Sequence, residues 1–521
     1  MASLLSMGET DRGTRSKLRL TQGIARACQQ TPHRTAIIAG DEVLTCSRFA
    51  DRVARMAARL CQHGLRRGDR VAILAESSAR YLEAYFATLW AGGIIAPVNT
   101  RFAMAEMAEM LRDCAPALML HDALFAPQAQ SLAAGLPTPP GLLRMDAPLE
   151  EVPPMADAGA GGDDIACLFY TGGTTGRAKG VALSHANLAL NALNISSHLG
   201  LNEEMVHLHC GPLFHLGAGA RVFATTFFGG THVVMPRFDA RAVLETIART
   251  GVTHVVIVPT MAVSLLGVPD FAAHDLSSVK IMSYGAAPMP AALRDALMAR
   301  LPGCGLLQSY GMTETSAVVT MLPPRWHDPA RGKNHTAGRA LAGIDLRIAD
   351  AANNPVPNGT VGEIQVRGPT VMQGYWNQPE LTARTIVDGW MKTGDAGMLD
   401  DDGFLTVVDR LKDMIISGGE NVYSAEVENA IHDHPAVEEC AVFGIPDAVW
   451  GEAVHAVVLP KPGQALTEAE VIAHCRARIA AYKSPKSVTI ADAALPRSGA
   501  NKILKSKLRL AFQPEAQPGR T

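Results

Sequence analysis

Nothing in the 521 residues repeats, and no tract is of low complexity. Absent too is any stretch approaching the roughly 18 uninterrupted apolar residues of a membrane-spanning helix. The nine cysteines are scattered singly, with no CxxC pair. That excludes a disulfide-stapled secreted scaffold and points to reduced thiols in a cytoplasm. Surplus charge is missing as well: 47 Lys and Arg stand against 50 Asp and Glu, a formal net charge of −3. No global field therefore recruits nucleic acid or an anionic membrane. The opening MASLLSMGETDRGTRSKLRL has too short an apolar run for a signal peptide and carries Glu9 and Asp11. Its Arg and Ser content leaves a transit peptide open.

What is there is the composition of an ordinary globular protein, 48% hydrophobic and 19% charged. The chain is too long for a single core, so two or more domains are expected. RVAILA (70–75), THVVMP (231–236), THVVIVPT (253–260) and VKIMSYG (279–285) read as buried strands. Between such runs lie segments with helical apolar spacing, RYLEAYFATLWAGG (80–93) and PAALRDALMARL (290–301). This alternation predicts an α/β fold of largely parallel sheets covered by helices on both faces. From about residue 336 short strands and turns (LRIAD, GEIQVRG, GFLTVVDR) predict a small antiparallel sheet or barrel. The last hundred residues read helix, strand, strand, helix, a compact α+β domain. The PEAQPGRT tail has the composition of a disordered segment.

Residues 168–180, LFYTGGTTGRAKG, follow a strand with glycine, threonine and base. Glycines let backbone N–H groups approach phosphate oxygens closely, threonine hydroxyls add donors, and Lys179 adds a point charge. A Walker A loop is excluded, because GxxxxGK[ST] does not occur. Taken alone, the same residues would also make a flexible surface turn.

The segment YTGGTTGRAKG resembles the phosphate loop of the adenylate-forming superfamily, which contains acyl-CoA synthetases, luciferases and peptide-synthetase adenylation domains. Further stretches match that family in order: PLFHLG (212–217), SYGMTET (309–315), KTGD (392–395), DRLKDMIISGGENVYSAEVE (409–428) and LPRSGANKILKSKLR (495–509). The resemblance covers almost the whole chain and implies a large N-terminal domain, residues 1–411, of two helix-covered sheets plus a small β-barrel. A mobile α+β C-terminal domain, residues 412–521, would follow, turning on a hinge at Lys412.

The resemblance also implies roles. ATP phosphates would lie on Thr171, Gly172, Gly173, Thr174, Thr175, Gly176 and Lys179. Glu314 would hold Mg²⁺, a hard cation suited to carboxylate oxygen, and Thr313 would hydrogen-bond the α-phosphate. Adenine would stack on Tyr310, flanked by Gly285, Ala286, Ala287, Ser309, Gly311 and Met312. Asp395, assisted by Arg410, would accept the ribose hydroxyls, although a lone Asp after Thr-Gly is by itself an ordinary turn former. Lys502 would bridge the acyl carboxylate and the α-phosphate; the structural alternative is a solvated lysine in a basic tail with Lys505, Lys507 and Arg509. His215 would sit at the acid pocket and gate it against the thiol, and Gly217, Ala218 and Gly219, with Gly285 and Gly311, would border the acid. His207, His209 and Cys210 raise metal binding as a competing reading, but no second ligand cluster accompanies them and a strand leading to His215 explains them as packing.

Two departures stand out. Gly173 replaces the usual serine of the loop and Ala178 the usual proline, and Ala500-Asn501 precede Lys502 where Thr-Gly is common. Loss of a hydroxyl at position 173 is expected to weaken ATP binding; no charged group is lost. The acceptor is expected to be CoA, since PDAVWGE (446–452) and ISGGENVY resemble the CoA-ligase form. Ser417, Gly418, Gly419 and Trp450 would then meet the thiol-bearing arm. The implied activity is an acid–thiol ligase acting on a fatty or aromatic acid through an acyl-adenylate. The alternatives are an adenylation enzyme loading a separate carrier, a luciferase-like oxygenase and a catalytically silent binding protein. Assembly as a homodimer stays open.

Overall fold

The computed structural model describes residues 17–172, 178–287, 289–417, 420–447, 449–497 and 503–512. The chain forms two compact units, one of Met1–Asp345 with Val366–Met391, the other of Leu346–Gln365 with Lys392–Thr521.

The first unit carries a nine-stranded and a seven-stranded sheet. In the larger, Val206–His209 lies between Thr231–Val234 and His254–Ile257, and the sheet continues through Ile281–Gly285 to Gly305–Tyr310. All of these pairings are parallel; the sheet turns antiparallel only toward its edges, at Glu42–Thr45 and Thr320–Leu322. In the smaller, Arg70–Leu74 runs parallel to both Ile94–Pro97 and Leu118–His121. The strands Arg70–Leu74, Ile94–Pro97 and Leu118–His121 are near-continuous apolar runs because both of their faces are covered, as the parallel architecture requires. The strand expected over 253–260 ends at Ile257, since Pro259 takes the first position of the helix Pro259–Leu266. Proline has no N–H to give a ladder, and its fixed φ suits a helix start.

Helix entries are marked by side-chain caps. Ser78 Oγ accepts from Tyr81 N at 3.2 Å and opens Ala79–Trp90. Ser184 and Asn187 form a reciprocal box that opens His185–Leu199. The helix Ala79–Trp90 is buried all round, Glu83 included at 0% exposure. Arg52 Nε lies 2.8 Å from one Glu83 oxygen, and Arg80 Nη1 donates to the other at 2.8 Å. Burial pushes the Glu83 carboxyl above the usual range while both arginines pull it down.

The second unit holds an antiparallel pairing of Trp390–Leu399 with Leu405–Arg410. Beyond it, Val437–Asp447 and Gly451–Pro460 pair antiparallel, with Ser487–Ile490 parallel to the latter. The helices Ser424–His432 and Glu468–Arg476 cover this sheet, packing Val427, Ile431, Val471 and Cys475 onto Val442, Val454 and Val458. The nine cysteines are all free, and six are buried. Burial raises every one of the nine thiols. No helix among the described residues is long and apolar enough to cross a membrane.

Candidate active site

The phosphate-loop segment is a hairpin. Ile165–Gly172 pairs antiparallel with Ala178–Ser184, setting Thr171 opposite Lys179 and Gly172 opposite Ala178. The expectations for Gly173, Thr174, Thr175 and Gly176 fall outside the described residues. Gly180 is compelled by close approach: a Cβ there would lie 2.9 Å from the Tyr170 ring and 3.2 Å from Trp376 Cβ. The next strand added is Gly374–Tyr375, with Tyr375 opposite Val181. Asn187 holds the segment leading to it, its Nδ2 donating to the Pro369 and Val371 carbonyls at 2.7 and 3.0 Å.

Tyr375 then links two groups that lie far apart in sequence. Lys179 Nζ stands 5.4 Å from the centre of its ring, and its hydroxyl donates to Glu314 Oε1 at 2.9 Å. Glu314 is 6% exposed, and its own carbonyl accepts from Met372 N at 2.8 Å. A cation, a phenol and a carboxylate are thus held in a line, with the hairpin at one end. Tyr375 was not among the expected site residues. A tyrosine in a two-residue strand, nearly two hundred positions from Lys179, carries no charge or spacing signal.

The adenine-side expectations converge at the carboxyl ends of two adjacent parallel strands, where open α/β sheets bind ligands. Gly285 and Ser309 are direct partners. A Cβ at Gly285 would sit 2.5 Å from the Ser309 carbonyl oxygen, and one at Gly311 2.2 Å from the Ala317 oxygen. Ala286 and Ala287 follow, exposed, and Ala286 has φ +65°. Tyr310 ends its strand half-buried, and Met312 precedes the short turn Thr313–Thr315 that carries Thr313 and Glu314. Just past that turn Ser316 and Ala317 have φ +60° and +95°. Non-glycine residues in this region each cost on the order of 1 kcal/mol or more, and such strain clusters at ligand sites. Ser316 is fixed there by its hydroxyl, which donates to the Thr370 carbonyl at 2.7 Å.

His215 is the residue before the helix Leu216–Phe228, half-buried and edge-on to Phe214 at 4.8 Å between ring centres. Tyr85 anchors the approach, donating to the Leu213 carbonyl at 2.7 Å. Gly217 is exposed, with nothing within 4 Å of an added Cβ, whereas Gly219 packs against Phe169. Ala218 lies between them, partly exposed. His207 and His209 lie on the strand Val206–His209, buried. His209 Nε2 and His232 Nδ1 share a hydrogen bond of 2.9 Å, and Thr226 bonds the other His232 nitrogen. Burial drives both His209 and His232 far toward the neutral form. No group of three or more His, Cys, Asp or Glu among the described residues is disposed to hold a metal ion.

In the second unit, Asp395 sits inside the strand Trp390–Leu399, opposite Arg410. Arg410 Nε lies 2.6 Å from the 5%-exposed Asp395 carboxylate. Gly394, at φ +71°, supplies the local bend that only glycine takes readily. Lys412 is in the turn after Arg410, and burial pulls its ammonium below the usual lysine value. Ser417, itself buried, ends the short strand Ile415–Ser417. Trp450 is 44% exposed, with Lys486 Nζ 5.2 Å from its ring centre, a partner the sequence did not announce. Gly418, Gly419 and Lys502 lie outside the described residues.

Residues 24–376 match the AMP-binding enzyme family, and residues 426–502 match the AMP-binding enzyme C-terminal domain. Feruloyl-CoA synthase of Amycolatopsis sp is 42% identical over 490 residues, 94% of this chain and 98% of that one. Fatty acid–[acyl-carrier-protein] ligase ScoC of Streptomyces coeruleorubidus is 34% identical, covering 95% of this chain and 96% of that one. The structure of O-succinylbenzoate coenzyme A synthetase from Bacillus subtilis, in complex with ATP and magnesium ion, superposes with a TM-score of 0.84 at 32% identity, over 94% and 98% of the two chains. With two family domains in order and full-length relatives, this chain belongs to the adenylate-forming AMP-binding enzymes.

Proposed function

We infer that this protein is an AMP-forming acid–thiol ligase whose acid is aromatic. It activates the carboxylate with ATP as an acyl-adenylate, releases pyrophosphate, and passes the acyl group to CoA with release of AMP. The observation that carries the reading is Glu314, buried and held by Tyr375 in one cluster with the hairpin lysine Lys179. A carboxylate is a poor electrophile, so the enzyme's task is to bring negative charges together. Lys179 and Thr171 hold the terminal phosphates, and Thr313 donates to the α-phosphate. The Glu314 carboxylate is a hard oxygen donor fitted to Mg²⁺, which when bound offsets phosphate charge. Tyr310 stacks on adenine, and the strained turn at Ala286 brings backbone close to the base. Asp395 accepts from the ribose hydroxyls while Arg410 fixes its carboxylate.

The acid lies beside His215, Gly217 and Ala218, where the absence of a side chain at Gly217 leaves volume. The 42% identity to a feruloyl-CoA synthase favours an aromatic acid there over a fatty one. Trp450 and Lys486 offer an aromatic face and a cation to the CoA nucleotide, with Gly418 and Gly419 in the pantetheine path. Lys502 bridges carboxylate and α-phosphate. Chain from Lys412 onward, the proposed C-terminal domain 412–521, turns between the two half-reactions, because Lys502 and Gly419 serve the same centre in succession. The relative named as a carrier-protein ligase supports a second reading, in which the acceptor thiol sits on a carrier.

Acid-dependent ATP–pyrophosphate exchange and CoA-dependent AMP release test the reading. Lys502→Ala should lose about 10²–10³ in exchange rate, the typical cost of removing a preorganised charge contact. It should still make thioester from supplied acyl-adenylate. Absence of acid-dependent exchange in the wild type would sink the proposal, and release of AMP with a carrier but not with CoA would move it to the second reading.

A further inference from the structure

Arg221 is a buried cation with nothing to answer it. It is 5% exposed, on the helix Leu216–Phe228; its Nη1 is buried with no hydrogen-bond partner, and no ion pair among the described residues includes it. Burial lowers its pKa to about 10, which leaves it charged at neutral pH. Around it is a small cavity, with room for about one water, lined by His207, His254, Thr225 and Ser283 among others. No carboxylate is in that lining. The two histidines are held neutral by burial and by Arg221 itself. Thr225 Oγ1 is a second buried polar atom there without a partner. Buried charges in proteins are paired, because an isolated one costs several kcal/mol. An unpaired one beside a cavity is a binding group waiting for its acceptor.

Two of the elements that line the cavity also carry proposed acid-site residues. Gly217, Arg221, Ala224 and Thr225 stand at positions i, i+4, i+7 and i+8, one face of one helix. Ser283 and Gly285 share a face of the strand Ile281–Gly285, since side chains alternate. From Gly217 to Arg221 is a rise of about 6 Å, and from Gly285 to Ser283 about 6.6 Å. Both walls therefore carry the cavity roughly one aromatic ring beyond the acid-site residues.

Resting on the acid-site reading above, we propose that Arg221 determines specificity at the far end of the acid. It donates hydrogen bonds to an oxygen acceptor, a phenolic hydroxyl or a second carboxylate, at the end opposite the carboxylate that is activated. A site built to hydrogen-bond a substrate oxygen rejects analogues that lack it, because its own buried donor is then left unpaired.

The test is kcat/KM in CoA-dependent AMP release for 4-hydroxycinnamate, 4-carboxycinnamate and unsubstituted cinnamate, on the wild type, Arg221→Met and Arg221→Lys. The wild type should favour one oxygenated acid over cinnamate by about 100-fold or more. Whichever is favoured identifies the acceptor as phenol or carboxylate. Arg221→Met should collapse that ratio to within about threefold, chiefly through KM, and Arg221→Lys should restore part of it. A wild type that does not discriminate, or an Arg221→Met that slows all three acids equally, overturns the proposal. Should Arg221→Met fail to fold, wild-type thermal shifts with the three acids decide the same point. Gly217→Leu separates the two layers: if it blocks all three acids while Arg221→Met keeps the ratio, only the Arg221 assignment falls. If Gly217→Leu leaves all three unchanged, the acid-site reading falls and this proposal with it.

Discussion

Glu83 and Arg221 are both buried charges in the first unit, and they are built in opposite ways. Glu83, at 0% exposure, has an arginine within 2.8 Å of each of its oxygens. Arg221, at 5%, has a cavity and neutral histidines. The first belongs to the frame, since Glu83 and its two arginine partners sit on the packed helices Cys46–Gln62 and Ala79–Trp90. The second is incomplete as the chain stands. A charge that folding has paired costs most when one partner is removed; one left unpaired is a cost that folding does not recover, and ligand binding is where it is recovered.

The comparison breaks most visibly at Glu83. Glu83→Ala removes the carboxylate that Arg52 and Arg80 share, leaving Arg52 only Glu42 at 2.6 Å, and should destabilise by about 3 kcal/mol, read as a fall in the urea midpoint at unchanged slope. If stability were unmoved, Glu83 would not be the compensated charge described here. Arg221→Met should go the other way, raising stability by on the order of 1–2 kcal/mol, because an apolar side chain of similar length replaces an unpaired ion. A loss of stability there would mean that Arg221 has a structural partner after all. Between these extremes stands Glu314, a buried carboxylate that accepts from the Tyr375 phenol. Tyr375→Phe removes the phenol's hydrogen bond to Glu314, worth about 1 kcal/mol, so pyrophosphate exchange should slow about fivefold with the ring contact to Lys179 kept. An unchanged rate would remove Tyr375 from the site.

The smallest effect is in acid. Burial holds His254 at about 4 and His209 at about 3, and lowers His207 and His232 as well. Their folded pKa values lie below the unfolded value of about 6.5. The unfolded chain therefore binds more protons below that pH, and stability falls as pH drops from about 6.5 toward 4. Arg221→Met should soften this slope slightly, since its charge helps to hold His207 and His254 neutral. Urea midpoints at pH 7 and pH 5 for both proteins measure the difference; parallel slopes would show that burial alone sets these histidines.

Much of this was legible in the chain. The strands at 70–75, 231–236 and 279–285 and the helices at 80–93 and 290–301 all stand where apolar spacing put them. Continuous apolar runs can only be buried on both faces, and that one fact carries the parallel sheets. The phosphate loop was legible because glycine, threonine and lysine in sequence need no folding to be recognised. Asp395 was ambiguous, since Thr-Gly-Asp reads as a turn; Gly394 instead bends a strand that goes on to pair with Leu405–Arg410. Tyr375 was illegible, because its role depends on contacts with Lys179 and Glu314 that only the sheet creates. The want of a partner at Arg221 is likewise a property of packing, which no local pattern encodes.

The buried cysteines have a consequence for a catalyst that works with a free thiol all its life. Thiol–disulfide exchange needs a thiolate, and each of the nine side chains is shifted toward the protonated form. Oxidised CoA, the disulfide that accumulates wherever CoA meets air, therefore meets thiols shifted away from the reactive thiolate form. The native chain should accordingly react sluggishly with disulfide reagents at neutral pH. A single cysteine engineered onto its surface would then be the one position that a thiol-directed fluorophore marks quickly.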